Sequence, residues 1–368
     1  MQGASEGPVW YRLEKKLKTW AIQQLARRAQ RKAVNVEHVD WSNIRRILVV
    51  RQHDQFGDFL LTTPAIYALR RQFPKSFISL VVRPYLYPVA QNNPDVDEVL
   101  VFRSAGFLRG MIRRFDLAIV FNTVSHSLSS DLIARLSRAS LVLGPETPTF
   151  DHCATNPFYT LVSPVDSAVK HQIQRNLDVV RHIGANTSET DYRFTLKDAE
   201  HRSAAHMLSE HGGDRIGRMV AVHFGTGDVR KRYPISMLAD VCNGIARRGQ
   251  HRILLFQAPG EIELRNELLL QLEPQPISAP AMSLRQVAVI MKNADLLICN
   301  DTGVLHLSAA VGTPSLSFHA TSDPAVWKPP ASRHVALYAS DGEISSIPVK
   351  KALSEALHLL EKGELDSP

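Results

Sequence analysis

The chain has 368 residues, 44% apolar and 21% charged, which is the composition of a globular protein too long for one typical core. Its three cysteines, Cys153, Cys242 and Cys299, have no metal-ligand spacing and cannot all pair, which indicates a reducing compartment. The net charge of +7 lies mainly in the first 50 residues, so no nucleic-acid partner is expected. No apolar run reaches the ~18 residues that a membrane span needs. We expect no cleavable secretion signal, because the N-terminal segment is polar and lacks an apolar core.

A basic segment lies near the start of the chain, where residues 10–32 lack proline and glycine and are predicted to form a helix. Its apolar side chains recur at steps of three and four residues and form one stripe, which consists of Trp10, Leu13, Leu17, Trp20, Ala21 and Leu25. Lysines and arginines surround the stripe. We expect residues 1–40 to form a basic amphipathic helix that contacts an anionic membrane; packing of the stripe on the protein itself is the open alternative.

Residues 41–185 alternate short apolar runs with helical patterns, which predicts a mostly parallel sheet covered on both faces. The strand candidates are residues 45–51, 77–82, 99–102 and 115–121, and the helix candidates are residues 59–73, 107–114, 128–137 and 169–183. The proline-containing stretch at 144–164 is predicted to be a long functional loop.

After a predicted linker at residues 184–192, a second series of similar size occupies residues 190–345. Its strand candidates are residues 219–224, 253–256, 296–299, 315–318 and 335–338, separated by helices centred near 242, 266, 288 and 308, and a last helix follows within residues 346–368. The sequence therefore predicts an α/β protein with two Rossmann-like, doubly wound domains whose crevices face each other across a cleft.

The most informative stretch is the turn from Asn300 to His306, which follows an apolar strand and opens a helix. Ligands bind at this position in open α/β sheets, and the first helical turn presents free N–H groups that favour an anion. We interpret the turn as a phosphate-binding site; on these residues alone, an ordinary capped turn fits as well.

Two further loops carry candidate chemistry. Asp58 follows the first strand, where a carboxylate could take a proton from an attacking hydroxyl, but spacing alone favours a helix N-cap. In the second domain, small residues from Gly225 to Gly227 precede Lys231 and Arg232, which could neutralise a diphosphate or be solvated surface cations. This loop is neither a Walker A loop nor a complete dinucleotide fingerprint.

In combination, these motifs resemble the family 9 glycosyltransferases, the bacterial ADP-heptose:lipopolysaccharide heptosyltransferases and their relatives. The resemblance covers about residues 45–360. It depends on three stretches in the family's order: residues 47–65 with Gly57-Asp58, the loop that ends at Lys231-Arg232-Tyr233-Pro234, and Asn300-Asp301-Thr302-Gly303 with His306, continued by Gly312-Thr313-Pro314 and Ser322-Asp323-Pro324. The polar loop at residues 53–56, Tyr233 in place of the usual tryptophan and Gln257-Ala258 in place of Gly-Gly depart from the family pattern.

The resemblance implies a GT-B architecture with an acceptor domain, a donor domain and a last helix that crosses back to the first domain. It implies inverting transfer without a metal or other cofactor, from a nucleoside-diphosphate sugar such as ADP-heptose. Asp58 matches the catalytic base. The donor would be bound by Thr226, Lys231, Glu261 near the ribose, Met282 at the base, and Asp301, Thr302, Gly303 and His306 at the phosphates and sugar.

The expected reaction is transfer of a sugar to a lipopolysaccharide core or a related anionic, lipid-linked glycan. We expect a cytoplasmic enzyme on the inner face of the inner membrane. Two alternatives stay open from the sequence: a non-catalytic nucleotide-sugar binding protein, and a sugar-nucleotide epimerase of the same architecture.

Overall fold

The computed structural model describes residues 32–365, except residues 53–54, 150–155, 167, 169, 201, 203–216, 250, 274 and 280–281. The predicted basic helix at residues 10–32 therefore lies outside the described residues, apart from Lys32. None of the helices in the described residues is long and apolar enough to cross a membrane.

The first unit is a six-stranded, wholly parallel sheet in the order β3-β2-β1-β4-β5-β6. Its strands are β1 (Arg46–Val50), β2 (Phe77–Val82), β3 (Glu98–Val101), β4 (Leu117–Val120), β5 (Leu141–Pro145) and β6 (Leu161–Ser163). Its helices are α1 (Phe56–Leu60), α2 (Thr63–Gln72), α3 (Tyr87–Ala90), α4 (Ala105–Ile112), α5 (Leu128–Leu136) and α6 (Gln172–Arg181), with short 3-10 helices at Val36–His38, Trp41–Asn43 and Pro84–Leu86.

The second unit repeats this topology, in the order β12-β11-β10-β7-β8-β9. Its strands are β7 (Met219–His223), β8 (Arg252–Leu255), β9 (Ile277–Ser278), β10 (Leu296–Asn300), β11 (Ser315–His319) and β12 (His334–Tyr338). Its helices are α7 (Ile235–Arg248), α8 (Ile262–Leu269), α9 (Leu284–Lys292), α10 (Gly303–Val311), α11 (Pro324–Trp327) and α12 (Val349–Leu365), with 3-10 helices at Val229–Lys231 and Ile344–Ser346.

Both sheets have the strand order of dinucleotide-binding folds, in which the order reverses between the first and fourth strands. The reversal lies between β1 and β4 in the first sheet and between β7 and β10 in the second. The central strands are buried along their whole length because helices cover both faces. This confirms the predicted α/β class and places one crevice at the carboxyl edge of each sheet.

Two expectations require correction. The predicted loop at residues 144–164 contains the end of β5 and all of β6, because a proline at a strand end removes only one backbone hydrogen bond of the sheet. The single helix expected at residues 59–73 is two helices, α1 and α2. The last helix packs on α7, β10 and β11 of the second unit, and its expected return to the first unit stays a prediction.

The two units touch through several polar contacts. Arg285 at the start of α9 donates to the carbonyl of Pro88 in the first unit (2.8 Å) and binds the Glu200 carboxylate. His171, the N-cap of α6, bonds through Nε2 to the carbonyl of Lys328 (2.7 Å). These contacts hold the two carboxyl edges toward each other. The exact domain bounds given above stay a prediction.

Candidate active site

The two crevices meet where helix α1 of the first unit approaches helix α10 of the second. Each helix has a glycine at the point of contact, Gly57 on α1 and Gly303 on α10. A Cβ atom on Gly57 would lie 2.9 Å from Cδ2 of His306 and 3.1 Å from Cα of Gly303, and one on Gly303 would lie 2.5 Å from the Phe56 ring. Glycine at these positions therefore leaves room for the His306 and Phe56 rings and lets the first turns of the two helices approach closely at the cleft.

Asp58 lies on the first-unit wall of this cleft. It is the third residue of α1, whose N-cap is Gln55, so the N-cap role that spacing favoured for Asp58 is wrong. The half-buried carboxylate accepts a hydrogen bond from the backbone N–H of Gln55 and lines a small pocket with Gln55, Phe121, Asn122 and Val124. Burial raises the pKa of Asp58 above its usual value.

Arg51, which was not a predicted site residue, is hydrogen-bonded to this wall. Its buried guanidinium donates to the carbonyl of Phe121, at the end of β4, and to the carbonyl of Asp58 (3.1 Å). Its charge lowers the pKa of Asp58 and so opposes the larger effect of burial. A charged residue at the end of a buried apolar strand was the signal that could have identified it.

The second-unit wall carries an ion pair between the two predicted donor motifs. Lys231 Nζ lies 2.8 Å from Asp301 Oδ2 and 3.4 Å from Ser322 Oγ, and Ser322 also donates to Asp301. The side chain of Lys231 keeps 29% exposure, whereas that of Asp301 keeps 10%. The ammonium group therefore faces the cleft and is held by a carboxylate that lies deeper in the wall.

Asp301 also interacts with His319, whose Nδ1 lies 3.9 Å from Asp301 Oδ1. Burial alone would raise the pKa of Asp301, but His319, Lys231 and Ser322 outweigh it and hold the pKa below its usual value. The carboxylate therefore stays ionised. The charges of Asp301 and Lys231 also act on Asp58, raising and lowering its pKa respectively, which places these groups around one cleft.

Helix α10 begins at this ion pair, with Thr302 as its N-cap. The Thr302 hydroxyl oxygen is buried and has no hydrogen-bond partner among the described residues. One turn later, His306 is buried, and burial lowers its pKa to about 4, so the imidazole is neutral near pH 7. Its Nδ1 lies 3.1 Å from the hydroxyl of Tyr192. The helix end thus offers free backbone N–H groups and an unpaired hydroxyl, which suit a phosphate.

The other predicted donor residues lie along the loops of the second unit. Thr226 is half-buried and accepts from the N–H of Asp228 (3.4 Å). Glu261 lies directly over Gly225, where an added Cβ would come within 1.7 Å of Oε1, and it accepts from the N–H of Ala258 (2.7 Å). Burial would raise the pKa of Glu261, but His223, the N–H of Ala258 and the charge of Arg232 together outweigh burial and lower the pKa.

Met282 is the remaining predicted donor residue. It is half-buried and packs against the larger apolar core cluster, next to the N-cap of α9. The structure therefore brings together Asp58, Lys231, Asp301 and the start of α10, with Glu261 and Thr226 on neighbouring loops. The donor-binding and catalytic roles of all these residues stay predictions.

Comparisons with known proteins support one family. The family model for glycosyltransferase family 9 (heptosyltransferase) matches residues 108–354. Lipopolysaccharide heptosyltransferase 3 of Escherichia coli strain K12 is 22% identical over 315 residues, which cover 81% of this chain and 88% of that protein. These matches span both sheets.

Two solved structures have the same fold. A family 9 glycosyl transferase from Veillonella parvula has a TM-score of 0.76 and 22% identity, and covers 90% of this chain and 99% of its own. The Escherichia coli heptosyltransferase WaaC, solved with ADP, has a TM-score of 0.68 and 20% identity, and covers 85% of this chain and 99% of its own. The facing sheets described above are thus the GT-B architecture. Since the family model covers more than half of the chain, including the Lys231 loop and the Asp301 turn, this protein belongs to glycosyltransferase family 9, the heptosyltransferases.

Proposed function

We propose that this glycosyltransferase moves heptose from ADP-heptose to a lipopolysaccharide core or a related anionic glycan, with inversion and without a metal ion. The observation that carries the proposal is the position of Asp58 opposite the Lys231–Asp301 pair. A base on one wall and a cation with a helix N-terminus on the other supply the two groups that such a transfer needs.

In the proposed reaction, an acceptor hydroxyl lies beside Asp58. Its oxygen attacks the anomeric carbon from the side opposite the diphosphate, its proton passes to the Asp58 carboxylate, and the bond from the anomeric carbon to the phosphate oxygen breaks. The raised pKa of Asp58 makes the carboxylate a better proton acceptor than an ordinary aspartate.

The leaving diphosphate gains negative charge as this bond breaks. Lys231 is already oriented by Asp301, and α10 begins beside it, so cation and N–H groups are in place before the reaction. Preorganised groups of this kind contribute several kcal/mol because they need no rearrangement in the transition state. Thr302, Gly303 and His306 would hold the phosphates and sugar, and Thr226, Glu261 and Met282 the nucleoside side of the donor.

The test of the base is Asp58→Asn, with Asp240→Asn on the exposed face of α7 as the control. We expect Asp58→Asn to lower kcat by about 10²–10⁴-fold. ADP affinity, measured by calorimetry, should stay within a factor of two or three because Asp58 lies on the acceptor side. Retained turnover in Asp58→Asn would reject the proposed base.

The donor itself can be identified by a thermal-shift screen of nucleoside diphosphates and their sugars, because a ligand that binds only the folded protein raises its melting temperature. We expect ADP-heptose to raise the melting temperature more than ADP or any uridine nucleotide does. A larger shift with a uridine-diphosphate sugar would exclude ADP-heptose as the donor.

We further propose that the enzyme works in the cytoplasm, at the inner face of the inner membrane, where a lipid-linked acceptor is available. The apolar stripe and surrounding cations of residues 10–32 support membrane contact by that segment.

A further inference from the structure

Four large apolar side chains are exposed at or next to the amino edge of the first sheet, where its strands begin. Phe77 is 42% exposed, Leu108 63%, Ile112 71% and Leu136 66%. Leu108 and Ile112 are one turn apart on α4, and Leu136 ends α5. Arg138 donates to the carbonyl of Ile112 (3.0 Å), which brings the ends of the two helices together. We call this surface the amino-edge face.

The amino-edge face is also rich in arginine. Seven arginines lie in or beside the segments that form it: Arg45, Arg46, Arg109, Arg113, Arg114, Arg135 and Arg138. The nearby carboxylates are already bound: Asp97 by Arg70, Glu98 by Arg113 and Asp116 by the N–H groups of residues 45 and 46. Among the described residues, Arg109, Arg114, Arg135 and Arg138 form no ion pair. The face is therefore strongly positive.

The exposed apolar groups are not needed to complete the core. Helices α4 and α5 already bury their inner sides, through Phe107, Ile133 and Ala134, against the sheet. Leu108, Ile112 and Leu136 point away from that cluster. Exposed apolar groups interleaved with unpaired cations match a surface that is anionic outside and apolar just beneath, which is the interface of a lipid bilayer.

We propose that the amino-edge face docks on an anionic membrane surface. The chain enters the described fold at the same edge, because the N–H of Val34 donates to the carbonyl of Thr160 (2.9 Å), immediately before β6. The described residues thus begin beside this face, and the basic residues 10–32 come just before Val34 in the sequence. The cleft lies at the opposite edge, roughly 17 Å away along five-residue strands. The proposal concerns a surface apart from the site and does not depend on the transfer chemistry.

The test is flotation of the full-length protein with vesicles of phosphatidylcholine alone or with 30% phosphatidylglycerol. The double variant Ile112→Glu/Leu136→Glu removes the apolar contribution to vesicle binding. The single variant Arg109→Glu removes a basic contribution. Leu270→Glu is the control, since Leu270 is 89% exposed but lies in the second unit, after α8.

We expect wild type to bind the phosphatidylglycerol vesicles and to be released by salt. The double variant should bind about tenfold or more weakly, and Arg109→Glu at least about fivefold more weakly, because each cation near an anionic surface adds about a factor of five. The control should bind as wild type. All three variants replace exposed side chains, so their melting temperatures and ADP affinities should match those of wild type.

Three results would overturn the proposal. Unchanged vesicle binding in both amino-edge variants would mean that any binding arises elsewhere, for example from residues 1–31. Equal binding to the two kinds of vesicle would show that the arginines do not contribute to binding. A wild-type dimer that dissociates in the Ile112→Glu/Leu136→Glu variant, seen by sedimentation, would show that the face binds a second copy of the chain.

Discussion

The hydroxyl of Tyr192 lies 3.1 Å from Nδ1 of His306 and connects the segment between the two sheets to the first turn of α10. The next residue, Arg193, is fixed to the first unit, since its N–H donates to Thr63 Oγ1 (2.9 Å). The contact therefore joins a residue anchored in the first unit to the proposed donor site of the second. Burial raises the pKa of Tyr192, so its hydroxyl stays protonated and can donate.

We predict that Tyr192 donates to Nδ1 of His306 and thereby keeps the imidazole proton on Nε2. Tyr192→Phe should let the other tautomer appear and should lower kcat/KM about threefold to tenfold, the effect of one neutral hydrogen bond. Nitrogen-15 NMR of the histidine ring measures the tautomer directly. Tyr67→Phe, which removes a nearby hydroxyl bound to Glu189, is the control. An unchanged tautomer in Tyr192→Phe would contradict the prediction.

The ion pair between Lys231 and Asp301 leads to a second prediction. Lys231→Met removes the cation beside the start of α10 and should lower kcat by about 10²–10³-fold, because a charge aimed at the leaving group is lost. Arg230→Met is a matched control: Arg230 is the adjacent cation, but its side chain is 79% exposed and pairs with Asp228. Steady-state kinetics should separate the two variants, and equal losses would argue against a specific role for Lys231.

The elements that could be predicted from the sequence are those that a short run of consecutive residues identifies. The apolar runs of β1, β2, β10 and β11 were placed within one or two residues, and the family-like motifs gave both halves of the Lys231–Asp301 pair. These strands are buried on both faces, so their apolar composition alone identifies them as strands. The family and the GT-B fold were also predicted correctly.

The remaining errors have physical causes. The helix expected at residues 59–73 is interrupted because the Thr62 and Thr63 hydroxyls bond the carbonyls of Asp58 and Leu60, and so end α1. The contact of Tyr192 with His306 joins residues 114 apart and has no local pattern. The N-cap interpretation of Asp58 failed because α1 begins before Gly57, in a loop whose polar sequence gave no helix signal.

A third prediction concerns pH. The proposed base must be ionised, so kcat/KM should fall as the pH drops through the pKa of Asp58, which lies above the usual 3.8. Arg51 lowers that pKa. Arg51→Met should therefore shift the acidic limb of the pH profile to higher pH, whereas Arg51→Lys keeps the charge and should shift it less. Arg51 does not act on the pKa of His306, which is about 4, so a shift of the limb in Arg51→Met is assigned to Asp58. Identical acidic limbs in wild type and Arg51→Met would show that the limb belongs to another group.

The close approach of α1 and α10 gives the last prediction. In Gly57→Ala, the new methyl group would lie 2.9 Å from the His306 ring and 3.1 Å from the Gly303 backbone, so the two helix ends must separate by several tenths of an ångström. Because catalysis needs groups from both walls at once, we expect kcat to fall about tenfold or more, with ADP affinity nearly unchanged.

The matched control for Gly57→Ala is Gly106→Ala on α4. Its added Cβ would meet only Ser104 Oγ, at an ordinary contact distance of 3.5 Å. Alanine should leave turnover unchanged there and raise the melting temperature, because it stabilises a helix by about 0.5–1 kcal/mol relative to glycine. If Gly57→Ala also kept full turnover, the cleft would not need the backbone contact between Gly57 and Gly303, and catalysis would proceed with the two helix ends further apart.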